Sequence, residues 1–168
     1  MMNNESWKDL FSDYNVLFNK EEITTRQSLN DICFNIPIEW EKVSSEDQTL
    51  YWLPEDNSGS VTVQCVTPKS TDYSGMTNAD VLSLFAEGLC DELDNYSPVW
   101  KGECWSEINN TTAFGFIYEI TVEDKHSDSL TVLFLVQGNI YCITFSCCEA
   151  DTVLKSFYTI ISTITFAK

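Results

Sequence analysis

The chain has 168 residues, 43% hydrophobic and 13% aromatic, enough for one domain with a full core. Its 26 acids against 9 bases give a formal charge of −17, and Arg26 is the one arginine. That balance excludes nucleic acid and anionic lipid as partners, since both are held by neutralising phosphates, and it favours a basic protein or a cation.

Trp7, Leu10, Phe11, Tyr14, Leu17 and Phe18 recur at spacings of three and four, which predicts an amphipathic helix over residues 5–19. A polar stretch (19–31) follows, then a strand at 32–36 stopped by Pro37. A charged loop with Glu39, Glu41, Lys42, Glu46 and Asp47 leads to a strand at 49–53. A turn-forming cluster, 54–59, then opens a strand at 60–66, where Val61, Val63 and Cys65 alternate with Thr62 and Gln64.

Thr77-Asn-Ala-Asp80 has the form of a capping box and opens a helix running to about Leu93, with Leu82, Phe85, Leu89 and Leu93 inward. Strands are expected at 100–105 and 112–123, a polar turn at 123–128, and a central strand, apolar on both faces, at 130–136. Gly138-Asn139 is a hairpin signal returning the chain over 140–147. Glu149 to Ile161 reads as a helix, and 162–166 as a closing strand. The order predicts an α+β fold, an α/β/α sandwich with a central antiparallel sheet flanked by helices, plus an N-terminal amphipathic helix.

Four stretches together carry a resemblance. They are Phe34-Asn-Ile-Pro-Ile-Glu-Trp40, the segment Leu50 to Gly59, the hairpin at Gly138-Asn139, and the ending Phe157 to Phe166. The chain resembles the PsbP-like superfamily. The likeness divides it into an N-terminal helical extension, 1–29, and a PsbP-like α/β/α domain, 30–168. It implies a module that docks on other proteins and brings no catalytic residue.

No apolar run nears the roughly 20 residues of a membrane span, and the first residues lack the pattern of a signal peptide. The expectation is a cytoplasmic protein without membrane insertion, or one whose leader or anchor lies outside this stretch. Seven cysteines without a Cys-x-x-Cys pair fit a reduced setting; an exported form with one or two disulfides fits the count as well. A single histidine, His126, removes the common zinc patterns, and its place in a polar turn argues for solvent exposure over catalysis. Cys142 and Cys147, five apart on one strand, are expected on opposite faces. The segment 55–59 offers oxygens for calcium but lacks the spacing of an EF-hand loop. Trp40, Trp52, Trp100 and Trp105 suit either a ligand pocket or core packing.

The strongest candidate surface is acidic. Asp80, Glu87, Asp91 and Asp94 follow a three- and four-residue rhythm along one side of the second helix. Glu87 and Asp91 repel each other, and Asp91, Glu92 and Asp94 crowd the helix end where the macrodipole disfavours anions. A solvated face explains such a run, and a basic partner or a cation would repay its cost. The reading is a non-catalytic interaction module that docks a basic protein through these acids. The alternative is a small-ligand or divalent-cation binding module. No enzyme, cofactor or metal site is assigned, and the oligomeric state is a monomer or a dimer exchanging its first helix.

Overall fold

The structure is a computed structural model that describes residues 24–46, 49–54, 59–68, 73–148, 157–158 and 160–167. The amphipathic helix at 5–19 lies outside the described residues, as do the turn residues 55–58 and most of the helix expected from Glu149. Of that last helix, Phe157, Tyr158, Ile160 and Ile161 are described and helical.

Ten strands and one complete helix are described. In chain order they are β1 (Thr24–Leu29), β2 (Ile32–Pro37), β3 (Trp40–Glu46), β4 (Thr49–Pro54), β5 (Gly59–Val66), α1 (Asn78–Asp94), β6 (Val99–Ile108), β7 (Thr111–Val122), β8 (Lys125–Val136), β9 (Asn139–Cys147) and β10 (Thr165–Phe166). They form a seven-stranded sheet, β3-β4-β5-β9-β8-β7-β6, and a three-stranded sheet, β1-β2-β10. Every strand pair is antiparallel.

Tight turns set the register of the long hairpins. Asn109-Asn110, Glu123-Asp124 and Gln137-Gly138 each have positive φ at both central residues, the geometry that matches strand twist in a two-residue loop. This corrects two expectations. The turn after β8 is centred on Gln137-Gly138, one residue earlier than Gly138-Asn139. The polar turn expected over 123–128 is only two residues long, so His126 and Asp128 belong to β8.

Two further stretches read as loops are strands. The polar 19–31 contains β1, and the charged 39–47 contains β3. Strand β1 buries only Leu29, so it lacks the apolar alternation that announces a half-buried strand. Strand β3 is a sheet edge with a bulge between Lys42 and Ser44, and charge and irregularity suit an edge that must not pair further.

The seven-stranded sheet is buried on both faces. One face packs beneath the small sheet and the chain's last helical residues. Across this core Phe34 meets Trp52 edge-on, Phe145 meets Phe157, and Phe134 lies between Tyr141 and Phe166. Arg26, the sole arginine, ties this layer together by donating to Asn35 Oδ1 at 2.9 Å, to the Thr163 carbonyl at 3.2 Å, and to the Thr165 hydroxyl. The other face packs beneath α1, where Val81, Leu82 and Ala86 meet Phe114, Phe116, Tyr118, Leu133 and Cys142. The expected helix cover is thus seen complete on one face; the other carries a second sheet. Cys142 and Cys147 fall in opposite cores, as strand alternation requires.

Candidate functional site

Helix α1 begins with the capping box read from the sequence. Thr77 Oγ1 accepts from the Asp80 amide at 3.2 Å, and the Asp80 carboxylate accepts from the Thr77 amide at 3.0 Å and its hydroxyl at 2.7 Å. The hydroxyl and amide of Thr77 hold the Asp80 carboxyl below its ordinary range. Asp80 is therefore engaged in starting the helix. It stands roughly 20 Å from Asp94, by the rise of 1.5 Å per residue.

Glu87, Asp91 and Asp94 are exposed along the face turned away from the sheet, together with Leu84, which is 45% exposed. No basic residue occupies the last turn. The helix ends on Asn95, whose side chain donates to the Glu92 carbonyl at 3.0 Å, and Ser97 then turns the chain at φ 50°. That turn brings two exposed aromatic side chains beside the acidic end, Tyr96 (58%) and Trp100 (44%), while Val99, paired with Glu119, faces the other side of the sheet. Trp100 rests on Phe116 and Tyr118, with ring centroids 6.1 and 5.7 Å away.

Beneath this end of α1 lies a half-open recess of about 230 Å³, lined by Leu89, Glu92, Leu93, Tyr96, Phe116 and Tyr118 among others. At its base hydroxyls run across the sheet, Tyr118 to Thr131 at 3.3 Å and Thr131 to Thr144 at 3.0 Å. Burial raises the Tyr118 phenol, and it pushes the Cys142 thiol up to about 11. The four tryptophans do not line one pocket. Trp40 and Trp52 belong to the core under the small sheet, and Trp100 and Trp105 to the α1 side.

A second polar cluster sits across the sheet from α1. Glu119 on β7 lies directly opposite Asp128 on β8, and His126 follows two residues along on the same face. Lys101 is the extra residue of a bulge between Trp100 and Gly102 on the edge strand β6. Its ammonium lies 2.8 Å from Glu119 Oε2 and 2.6 Å from Asp128 Oδ1. The His126 ring faces the other oxygen of each acid, Nδ1 at 3.1 Å from Glu119 Oε1 and Nε2 at 3.6 Å from Asp128 Oδ2. The Asp128 side chain is 8% exposed, the His126 side chain 46%. Hydrogen bonds that Lys101 donates to Asp128 and Glu119 raise its ammonium well above its usual range, and Lys101 in turn lowers the Glu119 carboxyl. Sequence reasoning missed Lys101, Glu119 and Asp128. The available signal was register: with the turn centred on Glu123-Asp124, Glu119 must face Asp128.

Neither a family model nor a curated protein matches the sequence. Solved structures do match by shape. The solution structure of cyanobacterial PsbP (CyanoP) from Synechocystis sp. PCC 6803 superposes with a TM-score of 0.63 at 16% identity, over 90% of this chain and 97% of that one. The fold is PsbP-like. This PsbP-like architecture extends to LpqN of Mycobacterium tuberculosis, described as involved in cell envelope biogenesis, with a TM-score of 0.56 at 16% identity over 89% of this chain and 94% of that one. A Bacteroides thetaiotaomicron protein matches at 0.61 and 11% identity, over 89% of this chain and 50% of its own length. At such identities the likeness concerns the fold, and function rests on sites.

Proposed function

We propose that this PsbP-like chain is a non-catalytic interaction module that docks a basic protein on the C-terminal half of α1. The observation that carries the reading is the juxtaposition of exposed Glu87, Asp91 and Asp94 with exposed Tyr96 and Trp100. An apolar aromatic anchor rimmed by charge of one sign is the composition of a recognition surface, the rings supplying affinity and the acids steering and selecting. Glu92 and the recess continue this surface toward the sheet. Asp80 lies apart and serves as a helix cap, so the docking set is Glu87, Asp91 and Asp94 with the aromatic pair.

The test is capture on the immobilised full chain at low salt, with stepwise salt elution and mass-spectrometric identification. The recovered protein is then purified and titrated. A basic protein whose affinity falls with salt, and falls at least tenfold for Glu87→Gln/Asp91→Asn/Asp94→Asn and for Trp100→Ser, supports the reading. Affinity unchanged by both variants rejects it.

A further inference from the structure

The cluster on the opposite face of the sheet has a composition that ion pairing alone does not need. Glu119 and Asp128 carry two negative charges, and Lys101 supplies one positive charge. With a neutral imidazole these four side chains sum to one net negative charge, which no other basic residue among those described is seen to pair, around Asp128, whose side chain is nearly buried. Each carboxylate gives one oxygen to Lys101 and turns the other toward His126. One nitrogen and two oxygens, from Glu119, His126 and Asp128, converge within 4.8 Å of one another, and the carboxylate oxygens nearest the ring are not those that hold Lys101.

We propose that Glu119, His126 and Asp128 bind one divalent transition-metal ion of the Zn²⁺ type, with Lys101 holding the two carboxylates in place from behind.

The spacing suits such an ion. Two donors each about 2.1 Å from a tetrahedral centre stand roughly 3.4 Å apart. Glu119 Oε1 stands 3.1 Å from His126 Nδ1, while Asp128 Oδ2 stands 3.6 Å from the other ring nitrogen, Nε2. One nitrogen therefore takes the ion, and a small turn of the half-exposed ring or of a carboxylate brings in the third donor. The imidazole favours Zn²⁺ and its neighbours over Mg²⁺ and Ca²⁺, which prefer oxygen alone and more ligands. Three protein donors leave a position for water or for a group brought by another molecule. The backbone fixes the arrangement: strand pairing sets Glu119 against Asp128, and a metal site on paired strands needs little reorganisation. The common zinc patterns sought in sequence need cysteine pairs or two histidines, which is why this set escapes them. The site lies across the sheet from the docking surface, and the two stand or fall separately.

His126 is the only histidine, so its ring resonances report the site without ambiguity. The experiment is a titration of the full chain with ZnCl₂ at pH 7.5 under a thiol reductant that does not chelate metal. Imidazole NMR and competition with a chromophoric zinc chelator follow it. The expected result is a shift of the His126 signals that saturates at one equivalent and is reversed by EDTA. MgCl₂ should leave those signals in place. His126→Gln and Glu119→Gln, both at partly exposed positions, should lower the affinity at least tenfold while thermal unfolding without metal stays cooperative. The proposal is overturned if Zn²⁺ leaves the ring signals unmoved, or if both variants bind as tightly as the parent, which would place the ion on cysteine thiols. Neither outcome touches the docking reading.

Discussion

The acidic end of α1 should trade stability for function, and the trade has a sign and a size. Glu87→Gln/Asp91→Asn/Asp94→Asn removes a like-charge pair one turn apart, worth about 0.2–0.5 kcal/mol. It also removes two anions from the last turn of a helix that has no cation there, worth about 0.3–1 kcal/mol each at low ionic strength. Helix propensity does not confound the comparison, because Asn and Asp rank together, as do Gln and Glu. The neutralised chain should be more stable by about 1–2 kcal/mol, a rise in Tm of roughly 2–8 °C for a domain of this length. The assay is thermal unfolding by circular dichroism in 10 mM and 500 mM NaCl. The gain should shrink at high salt, where the screening length falls below the spacing of the charges. The same variant should bind the basic partner proposed above more weakly, so stability and binding move in opposite directions. An unchanged or lowered Tm at low salt would refute the reasoning, since the acids would then be compensated within the fold.

Three other outcomes follow from the structure. Thr77→Ala removes the N-cap of α1 and should cost about 1 kcal/mol in denaturant unfolding, with Thr77→Ser restoring most of it. Gly59→Ala would set a Cβ 2.7 Å from the Ser146 carbonyl and 3.2 Å from Cys147 Cβ, so β5 must move off β9 at a cost of about 1–3 kcal/mol, read as a lowered urea midpoint. The stability difference between the parent and Lys101→Met should be flat between pH 4.5 and 10.5, the ordinary values of Glu119 and Lys101. Glu119 is depressed in the fold, so its share is lost as pH falls below 4.5; Lys101 is raised, so its share is lost as pH climbs beyond 10.5. A difference that stays the same below pH 4.5 and above pH 10.5, measured by urea unfolding on both sides of that window, would mean the pair adds nothing.

The parts of the fold legible in the sequence are those whose signal is local. Helix α1 declared itself through the Thr77–Asp80 cap and the spacing of Leu82, Phe85, Leu89 and Leu93, and its outer face carries Glu87, Asp91 and Asp94 as that periodicity requires. Strands β5, β7, β8 and β9 were legible because a strand with a buried face alternates or runs apolar. Strands β1 and β3 were not, because edge strands bury little and carry polar side chains. The turns at Glu123-Asp124 and Gln137-Gly138 were misjudged for a similar reason. Glu and Gln adopt positive φ reluctantly, and only the pairing of the long strands obliges them to.

The site on the other face belongs to a different order of information. Sequence alone determined an acidic chain, a sheet built of hairpins, and a helix with one apolar and one acidic face, because these follow from composition and from spacings of two to four residues. Only the tertiary structure decided that Trp100 would stand beside the acidic helix end and that Lys101, Glu119, His126 and Asp128 would meet. Lys101 and Asp128 are 27 residues apart, and their contact depends on one bulge and one hairpin register. A slip of a single residue in either would send a side chain to the opposite face of the sheet.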